Sequence, residues 1–138
     1  MLHHRGRSVT LLTAALLALA VLPGPNQTAA SGPPGPPRYP RGTVVMLGHR
    51  VVRVTIHNFA FLPARLVVSA GTRVVWTNTD SDPHTVVSAK GLWASEALDT
   101  DGLFARVFKS AGAFPYYCGI HPMMRGTVTV VAAATHKP

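Results

Sequence analysis

The 138-residue sequence is short of cysteine, of acidic residues and of any helical hydrophobic period, and each shortage narrows what it can do. It has one cysteine, Cys118, so no disulfide can form within the chain. Asp and Glu number 5 against 13 Lys and Arg, a net charge of +8. With so few carboxylates we find no paired-carboxylate arrangement for acid–base work, and no Ser-His-Asp set or phosphate-binding loop accompanies them. The basic residues are spread singly, with no run of five, which argues against a nucleic-acid partner and for a diffuse basic surface. No internal repeat is visible. What is present is apolar: 47% of residues are hydrophobic and only 13% are charged, with Gly and Pro at 12 each. That balance supports a packed core built from short strands and turns.

The first 30 residues read as a secretory signal peptide. Arg5 and Arg7 precede the apolar run Val9 to Leu22; Pro23, Gly24 and Pro25 break it, and Thr28, Ala29 and Ala30 supply a small-residue exit. The run is shorter than the roughly 20 residues of a spanning helix, so membrane attachment is expected only if this segment stays uncleaved. Residues 31–42, beginning SGPPGPPRYP, have the composition of an extended linker. A folded domain is expected over 43–132 and a short tail over 133–138. Export, to a periplasm or cell surface, makes a lone cysteine notable. An oxidising compartment usually pairs its cysteines, so an unpaired one indicates an intermolecular bond, a reactive thiol or a metal.

Within the domain the pattern is all-β. Val51 to Ile56 alternates, with Val52, Val54 and Ile56 on one face, and Arg73 to Asn78 alternates with Val74 and Trp76 inward. Leu66 to Ser69, His84 to Ser88, Phe104 to Phe108, Phe114 to Tyr117 and Thr127 to Val131 are further short runs, separated by Gly, Pro, Asn and Asp. Such spacing predicts a sandwich or barrel. Lys90 to Thr100 is the one stretch that suggests a helical turn. Trp76, Phe104, Phe108 and Phe114 are the expected core aromatics.

The chemistry concentrates in Tyr117-Cys118-Gly119-Ile120-His121-Pro122-Met123-Met124. A thiolate, an imidazole and a thioether on one tight loop form a mixed donor set that suits both oxidation states of copper. Met123 and Met124 compete for the thioether position, and the two-residue gap after His121 favours Met124. A fourth donor must come from elsewhere. His84, in the loop after Asp82-Pro83, is the best placed if two strand ends meet. His49, His57 and His136 lack ligand spacing and read as surface residues.

The stretches FAFLP (59–63), AGTRVVWTNTDSDPHTV (70–86) and AGAFPYYCGIHPMMRGTVTV (111–130) resemble the small cupredoxins. The spacing of Cys, His and Met matches the short ligand loop of amicyanin-like members, plastocyanin and pseudoazurin being longer-looped relatives. The resemblance covers residues 52–131. It implies a Greek-key β-sandwich with one type 1 copper ion, held by His84, Cys118, His121 and Met124, and a one-electron carrier role. Thr85 stands where these families often have Asn, so the bracing of the ligand loop falls to a hydroxyl; Asn78 is a candidate brace as well.

A site filled by protein ligands leaves no position for substrate, so no enzymatic activity is expected; a copper oxidase or nitrite reductase would need a second copper site. A copper-delivery protein using the same four residues is the alternative. The expected partner is a redox protein, one with an acidic surface suiting the basic chain, docking where Pro122 and Met123 surround the His121 edge, with the protein itself a monomer.

Overall fold

The alternation of Val52, Val54 and Ile56 produces what the pleat demands, a strand with one face buried and the other in water. In the computed structural model, which describes residues 37–133, nine strands form: β1 (Thr43–Met46), β2 (Val51–His57), β3 (Ala60–Leu62), β4 (Arg65–Ser69), β5 (Thr72–Asn78), β6 (Val87–Ser88), β7 (Leu103–Phe108), β8 (Gly112–Tyr117) and β9 (Arg125–Val131). The expected signal peptide, the first half of the linker and nearly all of the tail lie outside the described residues. Among the described residues no helix forms.

The strands make two sheets, one in the order β1-β4-β9-β8-β6 and the other β3-β2-β5-β7. β2 runs parallel to β5, and β4 parallel to both β1 and β9, while the remaining pairs are antiparallel. Parallel neighbours that are close in sequence require the chain to cross between sheets, which gives the mixed sandwich expected of the fold class. The inner faces meet in a core of Val52, Val54, Ile56, Phe61, Leu66, Val68, Val74, Trp76, Tyr116, Val128 and Val130. Trp76 is fully buried at the centre. Its ring lies 5.3 Å from that of Tyr116, edge to face, and 5.8 Å from that of Phe104; such pairs add about 0.5–1.5 kcal/mol beyond area burial.

Two sequence expectations are corrected here. His84 to Ser88 is a strand only at Val87–Ser88; Pro83 precedes it, and His84 instead makes a single bridge to Leu98. Nor does Lys90 to Thr100 form a helical turn. The Ser95 amide donates to the Val86 carbonyl (3.0 Å) and the Leu98 amide to that of His84 (2.7 Å), so this segment returns alongside 84–88 as a ragged ribbon. Tertiary pairing satisfies its backbone and overrides local helical preference. Strands β1 and β3 were not anticipated. β2 and β5 lie where the alternation predicts, and β4, β7, β8 and β9 lie on the other short runs expected from the sequence.

Candidate metal centre

β5 ends at Asn78 and β8 at Tyr117, and the loops that follow them meet at one pole of the sandwich. The second loop closes on itself. The Cys118 amide donates to the Met124 carbonyl (3.1 Å), and the Met124 amide to the His121 carbonyl (2.9 Å). Cys118 Sγ then stands 3.8 Å from His84 Nδ1 and 3.9 Å from His121 Nδ1, and the two Nδ1 atoms face each other at 3.2 Å. These three ligand-capable groups lie within 4.8 Å of one another. His84 and Cys118 are fully buried, and His121 is half-buried. Of the two methionines, Met124 is turned inward at 3% exposure, whereas Met123 is 87% exposed.

The surrounding hydrogen bonds fix each donor. Cys118 Sγ accepts from the amides of Thr85 and His121, each at 3.4 Å. Both amides therefore hold the sulfur at the point where the two loops meet. Thr85 does the bracing that its position requires: its Oγ1 accepts from the Gly119 amide at 2.7 Å, tying the His84 loop to the Cys118 loop. Asn78, fully buried, donates from Nδ2 to the carbonyls of Asp82 and Leu98, both 2.8 Å, and accepts the Asp80 amide on Oδ1 at 2.9 Å. It therefore holds both walls of the groove containing His84.

Two residues at the site were not singled out by the sequence reading. Asp80 Oδ2 meets His84 Nε2 at 3.0 Å, so the ring's other nitrogen, Nδ1, is the one that faces the centre. Burial pushes the Asp80 carboxyl up, but the amides of Phe59 and Asn58, together with the His84 ring, outweigh this and hold it below its ordinary value. Phe59 packs edge-on against both imidazoles, 5.4 Å from His84 and 4.9 Å from His121. The spacing Asp80 to His84, four residues, was the available signal for the first; nothing local signalled the second. His49 and His57 are exposed, and His136 lies outside the described residues.

Two imidazoles and a thiolate with a thioether nearby combine borderline and soft donors, the set that suits one copper ion in either oxidation state. Structural zinc sites draw on Cys, His and carboxylate without thioether, so the donor chemistry fits copper better. The buried thiolate side and half-buried His121 leave the centre closed except at one imidazole edge.

Comparison with known proteins agrees with this geometry. The family model described as a Cupredoxin-like domain matches residues 13–130. An amicyanin from Paracoccus versutus is 34% identical over 84 residues, 57% of this chain and 64% of that protein, so the match spans a little under two thirds of the relative. A solved structure of an amicyanin variant in its reduced Cu(I) form at pH 4 superposes with a TM-score of 0.57 at 27% identity, covering 59% of this chain and 82% of that one. A copper-containing nitrite reductase from Thermus scotoductus superposes at a TM-score of 0.60 over 65% of this chain and 28% of its own. At 22% identity it shows the fold alone. With two sheets of this order and a donor cluster between the β5 and β8 loops, the chain belongs to the cupredoxin-like family.

Proposed function

We propose that this protein is an exported, mononuclear type 1 copper protein that carries single electrons between redox partners. The observation that carries the reading is the convergence of His84 Nδ1, Cys118 Sγ and His121 Nδ1 within 4.8 Å, with Met124 buried in the same loop. Its ligands are these three residues and Met124. Bound copper supplies a reversible Cu(I)/Cu(II) couple. The protein's part is to keep its donors still while charge changes: Asn78 ties the His84 loop to the end of β5 and Thr85 ties that loop to the Cys118 loop, so little rearrangement accompanies each transfer. The amicyanin solved in a Cu(I) form supports the same use of the donor set here. Burial of Cys118, His84 and Met124 favours retention of metal over delivery, because no open ligand position invites exchange.

Electrons would pass at the half-buried His121 edge. Pro122 and Met123 are exposed beside it, with Ile120 at 47% and Phe59 at 47% exposure. A small apolar surface suits a brief contact with a partner protein, and the net charge of +6 left once Arg5 and Arg7 go with the signal peptide, 11 Lys and Arg against 5 Asp and Glu, favours one with an acidic surface. Export rests on the character of residues 1–30. No catalytic role is proposed. The test is to cycle the copper-loaded protein between oxidation states in the presence of a copper chelator. Repeated one-electron cycling with copper retained supports a carrier, and loss of copper to the chelator on each reduction refutes it in favour of metal delivery.

A further inference from the structure

Asp80 occupies an unusual position among the residues around the centre. Its side chain is only 9% exposed, yet it is an anion. One carboxylate oxygen accepts the Asn58 amide at 2.7 Å; the other accepts the Phe59 amide at 3.0 Å and meets His84 Nε2 at 3.0 Å. Its own backbone is pinned as well, the amide by Asn78 and the carbonyl by the Thr100 hydroxyl at 2.8 Å. On its outer side the exposed His57 ring approaches within 3.7 Å.

Asn58 and Phe59 have φ of 50° and 56°. The left-handed region is uncommon for residues other than glycine and more so for a bulky aromatic. Two successive residues there turn their amides to the same side, forming a concavity that binds an anion. The Asp80 carboxylate fills it. The conformation so held is the one that carries the Phe59 ring onto both His84 and His121.

We propose that Asp80 is a positioning residue of the metal centre: its carboxylate locks His84 with Nδ1 toward the copper, anchors the Asn58–Phe59 turn so that Phe59 shields both imidazoles, and lowers the reduction potential of the bound ion. This rests on the reading of His84 and His121 as copper ligands. A carboxylate on the far nitrogen of a ligating imidazole fixes the tautomer and raises ligand basicity. A fixed negative charge one ring away also stabilises the more highly charged Cu(II) relative to Cu(I).

Asp80→Asn keeps the shape and one acceptor oxygen but removes the charge. The expected result is a higher reduction potential than in the unaltered protein, a retained blue thiolate-to-copper band, and Cu(II) affinity lower by about 10- to 100-fold. A blue band in both proteins with equal potential and affinity overturns the inference and leaves the copper site standing. Absence of the band from the unaltered protein overturns both together. Should Asp80→Asn fail to fold, the unaltered Cu(I) protein still decides. A long-range proton–nitrogen spectrum should show His84 protonated at Nε2, with that proton protected from exchange. A proton on Nδ1, or rapid exchange at Nε2, refutes the assignment.

Discussion

Replacing Asn78 by alanine removes the tie between the two segments that enclose His84. The side chain is fully buried and makes three hydrogen bonds, to the Asp82 and Leu98 carbonyls and from the Asp80 amide. At about 1 kcal/mol net for each bond, the loss approaches 3 kcal/mol. Two features trim it: the Asp82 carbonyl belongs to an exposed residue and can take water, and the Leu98 carbonyl still accepts the His84 amide at 3.1 Å. We therefore expect a destabilisation of about 2–3 kcal/mol, which for a domain of this size lowers the unfolding midpoint by roughly 10–20 °C. Asn78→Asp is the sharper comparison. It keeps an acceptor for the Asp80 amide but sets a buried carboxylate oxygen against two carbonyl oxygens, so it should be worse than alanine despite being nearly isosteric. Thermal unfolding of the metal-free protein, followed by circular dichroism, measures both. A shift under roughly 3 °C for Asn78→Ala, or an Asn78→Asp variant more stable than Asn78→Ala, refutes the role assigned to this side chain.

Gly126 is buried in β9 opposite Tyr116, and a Cβ there would collide with the hydroxyl-bearing edge of the Tyr116 ring. Gly126→Ala should therefore lower stability by about 1–3 kcal/mol through overpacking, measured by denaturant unfolding. Because the folded Asp80 carboxyl sits below its ordinary value of 3.8, its stabilising contribution is fully present above that value and is lost as pH falls through the lower, folded one. Acid titration of metal-free wild type should show this loss, and Asp80→Asn should flatten the curve in the same window; identical acid curves would contradict the assignment. Met123→Asp places a charge on the exposed apolar rim without touching a donor, so it should slow electron exchange with a partner protein while leaving the absorption spectrum unchanged; unaltered partner rates would remove Met123 from the docking surface.

The strands that alternate strictly were legible because burial on one face imposes period two: Val52, Val54 and Ile56 are each at most 4% exposed, as are Val74 and Trp76. β1 was not legible because Val44 and Val45, adjacent in sequence, are both exposed, so its pattern does not alternate; its pairing to β4 is set by the partner strand. β3 spans three residues and follows a turn whose left-handed backbone falls on Asn58 and Phe59, not on a glycine. The metal cluster could be read because Cys118, His121 and Met124 share one loop and their spacing is itself the geometry. Asp80 and Phe59 escaped for the opposite reason. Their contact joins positions more than 20 residues apart, and its meaning depends on where His84 points. Thr85 shows how a departure from a family pattern can be absorbed, since its hydroxyl reaches the Gly119 amide directly.

The central claim is that Cys118 binds copper as a thiolate beside two imidazoles. The measurement that tests it most directly is the visible absorption spectrum of the Cu(II)-loaded protein beside that of Cys118→Ser. The account predicts an intense blue thiolate-to-copper band that the substitution abolishes. Copper bound with only a weak visible band, or a band that survives the loss of the sulfur, would contradict it.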